Sequence, residues 1–310
     1  MFLVLLVVNS PSFRAVSILG VGLLGGSIGL ALRRAGFAGR ILGFGHRQSS
    51  LDAALTVGAI DAGFLDLRPA VESADLVILA GPIGLFPKLL RELRAIVRPD
   101  AVVADVGSTK RQVVAWAKKF LPRSVRFVGS HPIAGSDRRG VQFARADLFD
   151  GACCVLTPAT LGRGTSLLVV KRFEDAVERV EAFWQSLGMW TCRMTPARHD
   201  RCLAEISHLP HAAAVALMLQ ATGPARELAG TGFLDCTRIA GGDPELWRDI
   251  FLTNSAEVVR SIRGLAGQLN KFASLIARGD SAGLVRLLAE AQKRRTELME
   301  RKLKGRQAEG

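Results

Sequence analysis

The chain has 310 residues, enough for two domains that each bury a core. With 49% hydrophobic and 22% charged residues it reads as an ordinary globular protein, which excludes disordered, collagenous and disulfide-scaffold classes. Its formal net charge of +13 is spread along the chain, a pattern that suits small anionic ligands better than a nucleic acid.

The dense basic cluster Lys293-Arg294-Arg295 with Arg301 and Lys302 also carries Glu297 and Glu300 at helical spacing, so it predicts a solvated helix face. Five cysteines, an odd number without a C-x-x-C spacing, predict a reduced cytoplasmic protein in which Cys is a small buried hydrophobe. Residues 1–8 are apolar, but no basic residue precedes them and the run is too short for a bilayer. A stray leader or an extra edge strand is expected there rather than an export signal.

In chain order, strands are expected at 15–19, 40–44, 74–80, 101–105 and 125–128, with helices from the glycine loop to Arg34 and at 51–57, 86–96 and 110–120. This rhythm predicts an α/β fold, a parallel, doubly wound Rossmann-like sheet with helices on both faces, extended by runs at 152–156 and 189–194. After Pro196 long helical patterns dominate, at 203–219, 257–276 and 281–303. The expected organisation is therefore a dinucleotide-binding domain over 13–195 and an all-helical domain over 196–310.

Gly20-Val21-Gly22-Leu23-Leu24-Gly25 is a G-x-G-x-x-G that follows a strand and opens a helix. The first glycine permits the tight turn, the second lets a pyrophosphate approach the backbone, and the third lets helix and strand pack closely. Residues 20–32 are apolar but hold five glycines, which argues for a phosphate loop and against a membrane helix. The end of the second strand reads Gly43-Phe44-Gly45-His46-Arg47-Gln48-Ser49, without the carboxylate that NAD enzymes place there. Arg47 with His46 or Ser49 would hold a 2′-phosphate, so NADP is favoured over NAD; the alternative is a surface Arg47 and NAD bound without its acidic partner.

The chain contains no tyrosine, which excludes a Tyr-Lys proton acceptor and leaves His46, His131, His199, His208 and His211 as bases near neutral pH. Two loops follow strands at the carboxyl edge where α/β sheets bind ligands: 105–110, with Ser108, and 128–136, with His131 before a proline. His131 is either a proton acceptor or a loop residue that caps backbone. His208 and His211, three apart, have a metal-ligand spacing, but no third ligand is evident and no metal is expected.

The blocks GVGLLGGSIGLAL, DVGSTK, GSHPIAGSDRRGV, LFDGACCVLTP, SHLPHAAA and DCTRIAGGDPELWRDIF, in order along nearly the whole chain, resemble the prephenate/arogenate dehydrogenase family. The resemblance implies oxidative decarboxylation of a cyclohexadienol in tyrosine biosynthesis, with His131 as the base and Ser108 beside the ring hydroxyl. It implies Arg238 as the anchor of a substrate carboxylate, and His208, His211 and Ser136 as pocket residues. It also implies a helical dimerisation domain, hence a homodimer, while no chorismate mutase segment or amino-acid-sensing domain is visible. Asp137, next to Ser136, is the expected discriminator between the ketone of prephenate and the ammonium of arogenate, unless it points to solvent or pairs with Arg138 or Arg139.

Two other readings compete. One is another Rossmann-plus-helical oxidoreductase, such as a β-hydroxyacid dehydrogenase or an imine reductase, for which the pairing of His131 with Arg238 has no reason. The other is a non-catalytic dinucleotide sensor or nucleic-acid binder, motivated by the charge of +13.

Overall fold

The computed structural model describes residues 13–135, 138–158 and 166–308, with side chains to residue 301. The expected N-terminal edge strand, Ser136 and Asp137 lie outside the described residues. The chain forms two compact units that divide between Val258 and Val259.

The first unit opens with β1 (Ala15–Leu19), α1 (Leu23–Arg34), β2 (Arg40–Phe44), α2 (Gln48–Thr56), β3 (Ala62–Phe64), α3 (Leu67–Val71) and β4 (Leu76–Leu79). It continues through α4 (Phe86–Leu93), β5 (Val102–Asp105), α5 (Arg111–Phe120), β6 (Arg126–Pro132), β7 (Cys153–Pro158), α6 (Leu167–Ser186) and β8 (Trp190–Arg193). The strands form one sheet in the order β3-β2-β1-β4-β5-β6-β7-β8. Its inner strands β1, β4 and β5 are buried at every position, as continuous apolar runs covered on both faces must be.

Helices cover each face. Ile28 and Leu32 of α1 pack with Phe173, Val177 and Trp184 of α6 on one side. Leu67 of α3, Phe86 and Leu90 of α4 and Val113 of α5 form the core on the other. In α4 the buried residues Phe86, Leu89, Leu90 and Leu93 recur at helical spacing, which turns one face to the sheet and leaves Lys88, Arg91 and Glu92 outward.

The sheet is not wholly parallel. The run expected to extend it at 152–156 is β7, and β7 pairs antiparallel with β6, His131 opposite Val155. A parallel return requires a crossover such as a helix, and the connection between β6 and β7 shows only the 3-10 turn Val141–Phe143 among its described residues. α6 supplies that crossover next, so β8 returns parallel to β7. The short β3 and α3, and the 20-residue α6, were not expected from the sequence pattern.

Helices follow β8: α7 (Pro196–Leu203), a π-helical turn (Ala204–His208), α8 (Leu209–Gln220), α9 (Gly223–Glu227), α10 (Thr231–Thr237), a 3-10 turn (Arg238–Gly241) and α11 (Pro244–Thr253). The single helix expected at 203–219 is thus divided. Pro210, in the first turn of α8, has no N–H to give to the preceding turn, and the π-helical turn absorbs the mismatch. α12 (Ser255–Ala277) starts before the division at Val258, and α13 (Ser281–Ala308) lies in the second unit. Of the cysteines only Cys154 is a buried hydrophobe; Cys153, Cys192 and Cys202 are half-buried and Cys236 is exposed, so the expectation for Cys holds at one position.

Candidate active site

The strand order reverses between β1 and β4, and the glycine turn sits at that switch point. Gly20 has φ +115°, and a Cβ there would lie 2.7 Å from the amide nitrogen of Gly81 in the loop after β4. A Cβ on Gly25 would lie 2.0 Å from the carbonyl oxygen of Gly20, which fixes how closely α1 packs on β1. At Gly22 a Cβ would meet nothing within 4 Å, so the bare backbone there faces open space. Leu23 and Leu24 open α1, and the first-turn N–H groups of a helix have no intrahelical acceptor. This cradle fits a pyrophosphate. His46, Arg47 and Ser49 follow β2 on the surface, and the Arg47 side chain makes no hydrogen bond or ion pair among the described residues.

The next two loops are tied together beneath the surface. Asp105 and Lys110 form a fully buried ion pair. Lys110 Nζ also donates to the carbonyl of Ser130 at 2.8 Å, while Asp105 accepts from the N–H of Gly107 at 2.8 Å and of Ser130 at 3.1 Å. Ser108, half-buried, rides on this closed loop, and His131 follows Ser130 at the C-terminal end of β6. Burial pushes the Asp105 carboxyl up and the Lys110 ammonium down, and each is pulled back by the other.

His131 is 8% exposed. Its Nδ1 lies 2.8 Å from Nε2 of His199, and His199 Nδ1 lies 2.8 Å from Asp200 Oδ1. Asp200 in turn accepts from the backbone N–H of Lys110 at 2.7 Å and of Arg111 at 2.9 Å, so α7 is docked on the start of α5. Burial first, then the charges of His199, Lys110 and His208, holds the His131 imidazole well below its usual pKa, so it is neutral at pH 7.

Behind His131 the helices place two further rings. His208 closes the π-helical turn and is buried; its Nδ1 lies 3.2 Å from Asn254 Nδ2, which also donates to the carbonyl of Asp200 at 2.8 Å. Burial pushes His208 down to about 4. Nε2 of His208 and Nδ1 of His211 are buried without a hydrogen-bond partner among the described residues. Gly242 lies under His211 and Trp247, where a Cβ would meet them at 2.9 and 2.5 Å. Arg238 starts the 3-10 turn that packs on α8; it is exposed and has no carboxylate partner among the described residues. The loop after β4 reaches the same region, because Gly84 N–H donates to Asp249 of α11 at 3.1 Å.

Of the residues expected from the sequence, the structure brings His131 and His208 into one hydrogen-bonded group and sets His211 beside Trp247. Ser108 lies on the loop pinned to β6, while Arg238 stands on the turn against α8. What sequence reasoning missed is the framework: His199 appeared only as one histidine of five, and Asp105, Lys110, Asp200, Trp247 and Asn254 had no assigned role. The pairing of Asp105 with Lys110 was legible as a D-x-x-x-x-K spacing across a strand end. Asp200 and Asn254 left no local signal.

Strand order and glycine turn together put the chain among the Rossmann-type dehydrogenases that use a nicotinamide cofactor. Residues 28–182 match the family described as prephenate dehydrogenase, nucleotide-binding domain, and residues 195–290 match prephenate dehydrogenase, dimerization domain. The chain belongs to the prephenate dehydrogenase family. It is 32% identical over 280 residues to the prephenate dehydrogenase of Bacillus subtilis, covering 88% of this chain and 73% of that one. Its fold is similar to the crystal structure of Aquifex aeolicus prephenate dehydrogenase in complex with hydroxyphenyl propionate and NAD+, with TM-score 0.83, 35% identity and 93% and 99% of the two chains covered. It is also similar to Synechocystis arogenate dehydrogenase, with TM-score 0.74, 29% identity and coverages of 92% and 99%. The reading as a β-hydroxyacid dehydrogenase or imine reductase is not favoured.

Proposed function

We propose that this protein oxidatively decarboxylates prephenate to 4-hydroxyphenylpyruvate in tyrosine biosynthesis, with arogenate as the second candidate substrate. A bound nicotinamide supplies the hydride acceptor. His131 accepts the proton of the ring hydroxyl, and Ser108 hydrogen-bonds beside it. Arg238 anchors a substrate carboxylate through its planar guanidinium. His208 and His211 line the pocket with their unpartnered ring nitrogens; Ser136 joins them in this reading, and Asp137 discriminates ketone from ammonium. Loss of the ring carboxylate as CO2 makes the product aromatic and drives the step.

The observation that carries this reading is a buried, neutral imidazole on the ligand-facing edge of β6, held by a second histidine. The decisive experiment is a spectrophotometric assay that crosses NAD and NADP with prephenate and arogenate. Reduction with prephenate is expected, and His131→Asn is expected to abolish turnover while sparing dinucleotide binding. Retained activity in that variant overturns the reading.

The cofactor is proposed to be NADP, held by Gly20, Gly22, Leu23, Leu24 and Gly25 at the pyrophosphate and by His46, Arg47 and Ser49 at the 2′-phosphate. The exposed Arg47 just beyond β2 supports this. The functional division is taken at 13–195 for the dinucleotide and 196–310 for substrate and assembly. A cytoplasmic homodimer completes the reading. The stretch Pro196–Gln220 is long and apolar enough to cross a membrane, yet it carries the buried His199, Asp200 and His208. Its exposed Leu217 and Leu219 suit a face covered by a second copy.

A further inference from the structure

His199 and Asp200 take no part in the chemistry described above, yet both are fully buried and joined to His131 in one line of hydrogen bonds. The proton positions along that line follow from its far end. The Asp200 carboxylate already accepts two backbone N–H groups, from Lys110 and Arg111, and as a carboxylate it accepts only. His199 Nδ1, 2.8 Å away, must therefore carry the proton and donate it. Burial keeps His199 below its usual pKa, so the ring is neutral and its Nε2 is a lone pair. That lone pair accepts from His131, which puts the His131 proton on Nδ1 and leaves Nε2 unprotonated.

We propose that Asp200, acting through His199, is the positioning residue that fixes His131 in the tautomer whose Nε2 accepts the substrate proton, and that it stabilises the imidazolium formed in turnover. This rests on the reading of His131 as the base. In the step itself the O–H bond of the ring alcohol breaks and an N–H bond forms at Nε2, while the Nδ1 proton stays on His131. The new positive charge faces an acceptor chain that ends in a carboxylate. The charged and titratable groups around His131 are His199 and Asp200 from α7, Lys110 at the start of α5, Asp105 at the end of β5, His208 from the π-helical turn and Cys154 on β7. Asp200 differs from Asp105, which is neutralised directly by Lys110 and aimed at the β6 backbone.

The test compares pH profiles of kcat for the full-length enzyme and for Asp200→Asn, His199→Leu, His131→Asn and the double variant His131→Asn/Asp200→Asn. Asp200→Asn and His199→Leu are expected to lose roughly 10²–10⁴-fold in kcat, the scale seen when an acid that orients a catalytic histidine is made neutral, with KM little changed. The acidic limb of Asp200→Asn is expected to move to lower pH, because the imidazolium has lost its carboxylate. The double variant is expected to be no worse than His131→Asn, since both changes remove one function. His199→Leu keeps Asp200 on the N–H groups of Lys110 and Arg111, so it reads the relay where Asp200→Asn fails to fold. Nitrogen NMR of the ring-labelled wild-type protein reads it without any variant: His131 protonated at Nδ1 is the expected result. A wild-type kcat and pH limb in either single variant, losses that multiply in the double variant, or an Nε2–H tautomer in the wild type each overturn the relay. Full turnover by His131→Asn would instead overturn the reading of His131 as the base, which the NMR tautomer does not depend on.

Discussion

The imidazole of His211 lies flat against the indole of Trp247, with ring centroids 3.5 Å apart and planes 12° apart. The stack sets the orientation of a ring whose Nδ1 has no partner among the described residues, and aromatic contacts of this kind contribute about 0.5–1.5 kcal/mol beyond the area they bury. Trp247→Leu removes the platform and leaves the base chain through His199 intact. The expected outcome is a KM for prephenate raised several-fold with a smaller change in kcat, read by steady-state kinetics. An equal loss in kcat at unchanged KM would place Trp247 in the chemical step.

Asn254 settles which nitrogen of His208 carries the proton. Its atom near the Asp200 carbonyl must be the amide nitrogen, because two oxygens would repel, and the same nitrogen lies 3.2 Å from His208 Nδ1. Nδ1 is then the acceptor, and Nε2, without a partner among the described residues, carries the proton. Asn254→Leu is expected to weaken substrate binding by about tenfold, the effect of one misoriented hydrogen bond, and to lower the Tm as well. Unaltered KM and Tm in this variant would contradict it.

Acid stability follows from His208. Its pKa falls from an ordinary 6.5 when unfolded to about 4 when folded, so the unfolded chain binds the extra proton between these values. Stability is whole above pH 6.5 and is lost as pH falls toward 4, by up to about 3 kcal/mol from this one group. His131 and His199 shift in the same direction. Thermal melts from pH 7 to pH 4 are expected to show a falling Tm, and His208→Gln to flatten that fall. A Tm independent of pH over this range would refute the assignment.

The Asp105–Lys110 pair ties the loop after β5 to Ser130 of β6, and both side chains are fully buried. Removing one partner strands the other charge, which costs about 3–5 kcal/mol. Lys110→Met is therefore expected to lower stability by that amount in denaturant unfolding, more than the truncation of any surface lysine such as Lys88. A loss under about 1 kcal/mol would mean that the pair has been replaced by a protonated Asp105 at little cost.

Arg47 tests the cofactor. Arg47→Ser is expected to raise KM for NADP about tenfold or more, by removing a charge-assisted phosphate contact, and to leave KM for NAD unchanged. Equal effects on both dinucleotides would remove Arg47 from the 2′-phosphate site.

What could be read along the chain was whatever is decided by neighbours in sequence. The glycine turn announces itself because only glycine accepts φ +115° at Gly20 and only a missing Cβ lets Gly25 lie against the Gly20 carbonyl. β1, β4 and β5 are legible because a strand buried on both faces must be apolar throughout. The turn at 204–208 was not, because a π-helical turn differs from an α-helix by one shifted hydrogen bond and leaves the apolar spacing almost intact.

The residues that tune the site were settled only by the tertiary structure. The carboxylate of Asp200 meets the N–H of Lys110 across 90 residues of chain, and Asn254 reaches His208 across 46. The direction of β7 likewise depends on the connection that follows β6 and not on its own residues. Sequence determined the dinucleotide turn, the strand rhythm and the identity of the histidines, since backbone conformation and apolar periodicity are local. Folding decided which imidazole is neutral and which nitrogen bears its proton, because desolvation and hydrogen bonding depend on groups that the chain brings together only when it packs.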